Sequence, residues 1–168
     1  MTHPVTPSTG GLPVQSSPFE SLLPFGWNAT LAATFHERHA AFGAPGRVVA
    51  ATRGLVLAQS AEGELWCTPT GRFREWLQAE DLTLCVGDWI ALRPQPGTAR
   101  AQVHDLLPRG ASLTRKDPAA GGRQQWLAAN LDKVLLLMGL DRNFNLPRLE
   151  RLLAVSYTHL TLPTSDLV

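Results

Sequence analysis

The spacing of hydrophobic positions changes twice along this chain. From Asn28 to Phe42, Leu31, Phe35 and Phe42 can share one helical stripe, with Asn28 as N-cap and Gly43 to Gly46 as the stop. From Arg47 the period falls toward two. Arg47 to Gln59 is rich in Val, Ala and Leu with Gly54 in its middle, which predicts a strand broken or bulged at that glycine. Glu64 to Thr70 sets Leu65 and Cys67 against Glu64, Trp66 and Thr68, a half-buried strand. Arg72 to Trp76 reads as a further short strand or a loop. Val86 to Arg93 alternates again, and Ala99 to Leu107 is a strand stopped by Pro108. Short strands at regular turn spacing, with no long helix between them, predict a small barrel.

The pattern then changes character. Gly110 to Arg123 is polar and glycine-containing and reads as a linker, with Gln125 to Leu131 as a connector. Lys133 to Leu140 is a continuous apolar run, the pattern of a strand buried on both faces of a parallel sheet. Asn145 can cap a helix from Leu146 to about Val155, with Leu146, Leu149, Leu152 and Leu153 on one face. Strand, loop and amphipathic helix are the opening half of a βαβ unit. Without partner strands, residues 130–155 are expected to be loosely ordered.

Composition narrows the class. Hydrophobic residues make up 44% of the 168 positions and charged residues 17%, so a core is possible and global disorder is excluded. Residues 1–27, rich in Pro, Ser, Thr and Gly near the start, are expected to be a disordered leader. The chain shows no transmembrane run and no secretory signal, so a cytoplasmic location with no membrane partner is expected. Cys67 and Cys85 form no CxxC pair and read as buried structural thiols. His36 and His39 lack a third ligand nearby and read as exposed helix histidines. Net charge is only +1, but residues 93–123 hold six bases (Arg93, Arg100, Arg109, Arg115, Lys116, Arg123) against Asp105 and Asp117.

Several strings, in order, resemble one family. They are Phe25-Gly26-Trp27-Asn28, Gly46-Arg47-Val48-Val49, Gly71-Arg72-Phe73-Arg74, Val86-Gly87-Asp88-Trp89-Ile90-Ala91-Leu92, Leu106-Leu107-Pro108-Arg109, Thr114-Arg115-Lys116, Ala128-Ala129-Asn130-Leu131-Asp132, and Phe144-Asn145 with Arg148-Leu149-Glu150-Arg151. Their order and spacing resemble the ribosome small subunit-dependent GTPase A family, the RsgA/YjeQ type of circularly permuted GTPases, from about Leu23 to Val155. The resemblance implies a mainly β fold. It divides the chain into a leader (1–27), an N-terminal helix (28–46), a five-stranded OB-fold RNA-binding barrel (47–108), a linker (109–129) and the first strand and helix of an incomplete α/β P-loop GTPase domain (130–155). The last stretch, SYTHLTLPTSDLV (156–168), departs from the family and resembles translated sequencing-adapter DNA, so a non-native tail and an N-terminal fragment are expected. The family implies GTP and Mg, a structural zinc in a later domain, a monomer, and the 30S subunit with its 16S rRNA as partners.

The residues present support less than the family does. No stretch matches GxxxxGK[ST] or Asn-Lys-x-Asp, so no catalytic, nucleotide-binding or metal residue is assigned and GTP hydrolysis by this chain alone is not expected. RNA contact is different. Arg72 and Arg74 flank Phe73 after a turn, a basic-aromatic-basic loop; the alternative is a solvated loop with Phe73 tucked into the barrel. Arg109, Arg115 and Lys116 at the barrel exit, and Arg53 at the Gly54 bend, are further phosphate-contact candidates. Trp66, Trp76 and Trp89 read as core or barrel-rim packing, and Trp126 as packing between two domains. The rival readings are a stand-alone OB-fold RNA-binding module without enzyme activity and a non-functional truncated product.

Overall fold

The computed structural model describes residues 18–39, 43–52, 54–117, 123–139 and 145–159. Five strands close a barrel: β1 (Ala44–Thr52), β2 (Leu55–Ser60), β3 (Gly63–Pro69), β4 (Trp89–Pro94) and β5 (Arg100–Leu106), in the order β1-β2-β3-β5-β4. Pairing of Ala44–Arg47 with Leu92–Trp89 brings β4 back onto β1 and closes the ring. All neighbours are antiparallel except β3 and β5, which run parallel. Helix α2 (Gly71–Ala79) lies between β3 and β4 in sequence and plugs the barrel with Phe73 and Leu77. This strand order and the position of α2 define an OB-fold.

Period-two alternation fills the interior. On β3, Leu65 and Cys67 point in while Glu64, Trp66 and Thr68 point out. Val48, Val56, Ala58, Ile90, Leu92 and Val103 complete the core with them. Each fully buried Val, Leu or Ile contributes about 1.5–3 kcal/mol. The closure is tight enough to select glycine: a Cβ on Gly43 would lie 2.1 Å from the Leu92 carbonyl oxygen.

The structure corrects the sequence reading at five places. Arg47 to Gln59 is two strands, β1 and β2, reversed at Gly54 (φ +78), and the irregularity lies elsewhere, between Val48 and Ala50. A run apolar on both sides of a glycine has the same pattern whether it bulges or folds back. Arg72 to Trp76 is neither strand nor loop but the first turns of α2. Thr70 Oγ1 accepts a hydrogen bond from the Phe73 N–H, a cap worth about 1 kcal/mol.

The expected leader is structured over residues 18–27. A 3-10 turn, Glu20–Phe25, and Trp27 dock on the barrel and on α1 (Ala29–His39). Leu22, Trp27, Phe35, Trp89, Ala91 and Leu107 form a second core there, with Phe19 edge-on to Trp27 and Phe35 at 6.0 and 5.8 Å. Asn28 caps α1 as expected, its Oδ1 accepting from the Leu31 N–H. Residues 1–17, and the 156–168 tail beyond His159, lie outside the described residues.

The expected linker is a hairpin, β6 (Ser112–Asp117) with β7 (Arg123–Ala129). Finally, residues 133–139 form no strand: Leu135 and Leu137 are 85% and 93% exposed. A strand apolar on both faces needs flanking strands, and the described residues offer none. Helix α3 (Leu146–His159) forms, with Asn145 Oδ1 accepting from the Arg148 N–H. Among the described residues no helix is long and apolar enough to cross a membrane.

Candidate nucleic-acid interface

Helical geometry separates the three residues of the basic-aromatic-basic string. Successive residues of α2 are turned by about 100°, so Phe73 enters the core while Arg72 and Arg74 stay exposed. Phe73 is 3% exposed and stacks on Trp76, with centroids 5.6 Å apart and an interplanar angle of 15°. It cannot receive a base, which removes it from the candidates. Arg72 and Arg74 remain free to meet phosphate.

Arg109 is also corrected. Its Nε donates to Asp88 Oδ1 at 2.7 Å and its Nη2 to Asp88 Oδ2 at 2.8 Å, a bidentate pair. Nη2 also reaches the Thr83 carbonyl at 2.6 Å, and the guanidinium lies 4.2 Å from the Trp126 ring centroid. Asp88 is fully buried, and its Oδ2 takes a third bond from the Cys85 N–H at 2.9 Å. Arg109 is therefore an internal tie between barrel and hairpin, not an outward phosphate contact. Arg115 is exposed on β6, its Nε donating across the hairpin to Gln125 Oε1 at 2.6 Å. Lys116 follows it, paired in register with Gln124. Arg53 lies outside the described residues.

The residues that sequence reasoning missed sit between barrel and hairpin. Gly87 (φ +91) lets the backbone of Ala129 pass where a Cβ would be 2.0 Å from its carbonyl oxygen. The Ala129 N–H then donates to the Val86 carbonyl at 2.9 Å. Asn130, itself at φ +53, donates Nδ2 to the Gly87 carbonyl and accepts the Gly110 N–H on Oδ1. Arg47 donates Nη2 to the Asn130 carbonyl and Nη1 to the Phe25 carbonyl. The strings Val86-Gly87-Asp88-Trp89 and Ala128-Ala129-Asn130 carried this signal, but only as a resemblance and not as geometry.

Both thiols are buried. Burial pushes the Cys67 thiol from the ordinary 9.0 up to about 11. Burial first, and the nearby Asp88 carboxylate second, push Cys85 up to about 12. Both should resist a disulfide reagent at pH 8 in the folded protein and react at once in denaturant. A thiol with a raised folded pKa stabilises the fold below its unfolded pKa and loses that contribution as pH rises toward the folded value. Stability should fall above pH 9, up to about 1.4 kcal/mol per pH unit for each thiol. Replacing Cys85 with Ala should flatten the slope between pH 9 and 12, measured by urea unfolding; an unchanged slope would exclude the thiol as its source.

Among the described residues no group of three His, Cys, Asp or Glu could hold a metal. The donor chemistry does not suit zinc either, since Cys67 Sγ faces the Leu65 carbonyl inside the barrel and Cys85 lies under Asp88.

Comparison with known proteins finds relatives of one name. The chain is 34% identical over 144 residues to "Small ribosomal subunit biogenesis GTPase RsgA" of Opitutus terrae, which covers 81% of this chain and 39% of that protein. It is 32% identical over 146 residues to the protein of the same name from Syntrophotalea carbinolica, covering 82% and 39%. Over these residues the chain is similar in sequence to proteins named RsgA. It spans about two fifths of the length of these curated relatives. Among solved structures it is similar to YjeQ from Thermotoga maritima (TM-score 0.49, 19% identity, 69% of this chain and 37% of that one). It is also similar to YloQ, described as a circularly permuted GTPase (TM-score 0.47, 17% identity, covering 73% and 39%). No family model matches the chain. The OB-fold assignment rests on the strand order, and the likeness to RsgA proteins on sequence identity.

Proposed function

We propose that this chain is the RNA-contacting part of a ribosome-biogenesis GTPase, docking on the 30S subunit and its rRNA late in maturation. In the intact protein, GTP with Mg would bind a permuted GTPase domain and hydrolysis would drive release. The chain described here supplies the docking surface and no hydrolysis of its own; the zinc and nucleotide belong to other parts of the protein. The observation that carries the reading is the 34% identity over 144 residues to a protein named as a small ribosomal subunit biogenesis GTPase. The OB-fold adds to it, because such barrels bind oligonucleotides on strand faces and loops. Arg72, Arg74, Arg115, Lys116 and Arg53 are the proposed phosphate contacts; Phe73 and Arg109 are not.

The test is co-sedimentation with purified 30S subunits over a salt series. Binding should weaken as salt rises, because phosphate contacts release counterions. The double variant Arg72→Glu/Arg74→Glu should bind at least about tenfold more weakly and lower the magnitude of the log–log salt slope by roughly one to two. Wild-type affinity and slope in that variant would remove α2 from the interface.

A further inference from the structure

The outer face of β2, β3 and β5 carries a feature that the proposed basic contacts do not use. Trp66 stands on β3 with 46% of its surface exposed, although it lies in the middle of a fully paired strand. Its backbone is held on both edges: it pairs with Leu57 of β2 on one side and with Arg100 of β5 on the other. The Trp66 N–H donates to the Ala99 carbonyl at 3.0 Å. One step along the face, Thr68 pairs with Gln102, which pairs in turn with Arg93 of β4. Arg93, Arg100, Gln102 and Thr68 are all exposed.

A large indole fixed on a rigid strand, with Arg100 paired beside it and Arg93 two strands across the same face, suits a flat partner of negative charge. Base–aromatic stacking contributes about 1–3 kcal/mol per base, and arginines flanking the ring meet the backbone that connects stacked bases. A protein partner fits less well. Leu57, paired with the indole on β2, is half-buried, and the exposed residues around the indole, Glu64, Thr68 and Gln102, are polar, unlike the large apolar patches that protein interfaces bury. We infer that Trp66 is a base-stacking platform for single-stranded RNA on the barrel face, with Arg100 and Arg93 as its phosphate contacts. This rests on the RNA-binding reading above and adds an unpaired RNA element as the bound form. It also moves the centre of contact from α2 to the strands.

The experiment measures binding of an oligouridylate 12-mer and of 30S subunits by the same protein. Trp66→Ala should weaken oligouridylate binding at least about fivefold, with Trp66→Phe retaining most of the affinity because it keeps a π face. Trp66→Leu, which keeps apolar area but no ring face, should lose as much as the alanine variant. It also serves as the readout if alanine perturbs the barrel, which the unfolding midpoint will show. If the leucine variant binds like wild type, or if wild type binds 30S subunits but not the oligonucleotide, the stacking platform is overturned while the docking reading survives. If wild type binds neither, the docking reading falls and takes the platform with it.

Discussion

Replacing Asp88 with Asn should lower the unfolding free energy by about 3–5 kcal/mol, the cost of breaking a buried ion pair from one side. The carboxylate is fully buried and holds Arg109 through two hydrogen bonds of 2.7 and 2.8 Å. Asparagine keeps the shape but leaves the guanidinium without its counter-charge. Nη1 of Arg109 already has no hydrogen-bond partner among the described residues, and the Thr83 carbonyl that Nη2 reaches is neutral and cannot replace the counter-charge. A small domain has roughly 5–15 kcal/mol in total, so the variant should be near its limit at physiological temperature. Urea unfolding followed by tryptophan fluorescence measures it. Asp88→Asn combined with Arg109→Met should recover a good part of the loss, because the pair is then removed from both sides. A single-variant loss under about 1 kcal/mol would mean that water reaches the pair.

The second large effect belongs to Gly87. A Cβ there meets the Ala129 carbonyl oxygen at 2.0 Å and the Ala129 carbonyl carbon at 3.0 Å, and the residue sits at φ +91. Both atoms are backbone, so no side chain can swing aside. Gly87→Ala should cost about 1–2 kcal/mol in backbone strain alone, and it should also push the end of β7 off the barrel. Hydrogen exchange separates the two effects. The Ala129 amide, bonded to the Val86 carbonyl, should lose its protection, while Val103 in the barrel wall keeps most of its own. Gly54→Ala is the control: φ is +78 but no atom lies within 4 Å, so only the strain should appear. Equal losses in the two variants would show that the close approach contributes nothing.

These two sites also mark where the sequence stopped being legible. Alternation in Glu64–Thr68, the apolar run Trp89–Leu92 and the stop at Pro108 mark β3, β4 and β5, but not the reversal between β1 and β2. Helix α2 escaped because its nine residues hold only about two and a half turns, and two arginines around a phenylalanine look alike in a loop and a helix. The spacing of Phe73 and Leu77, with Thr70 as a cap, was the available clue. The hairpin escaped because its strands are largely polar, so no hydrophobic period marks them. Arg109 was misread for a different reason. A cluster of bases counted along the chain cannot reveal that one of them faces an aspartate 21 positions earlier. Trp66 reads as core or barrel-rim packing by its residue type, yet its alternation with Leu65 and Cys67 places it on the outer face.

Arg47 gives the fold an order of assembly. Its guanidinium joins the carbonyl of Phe25 to that of Asn130, segments more than a hundred residues apart with the whole barrel between them. As the chain is made from its amino end, β1 can pair with β2 early, but it must wait for β4 to close the ring. The Arg47 clamp must wait longer still, until Asn130 has emerged. Throughout that interval the Phe25 turn and Trp27 can lie against the nascent barrel, yet the knot that fastens them is incomplete. The clamp can therefore close only after the barrel and both strands of the hairpin have been synthesised.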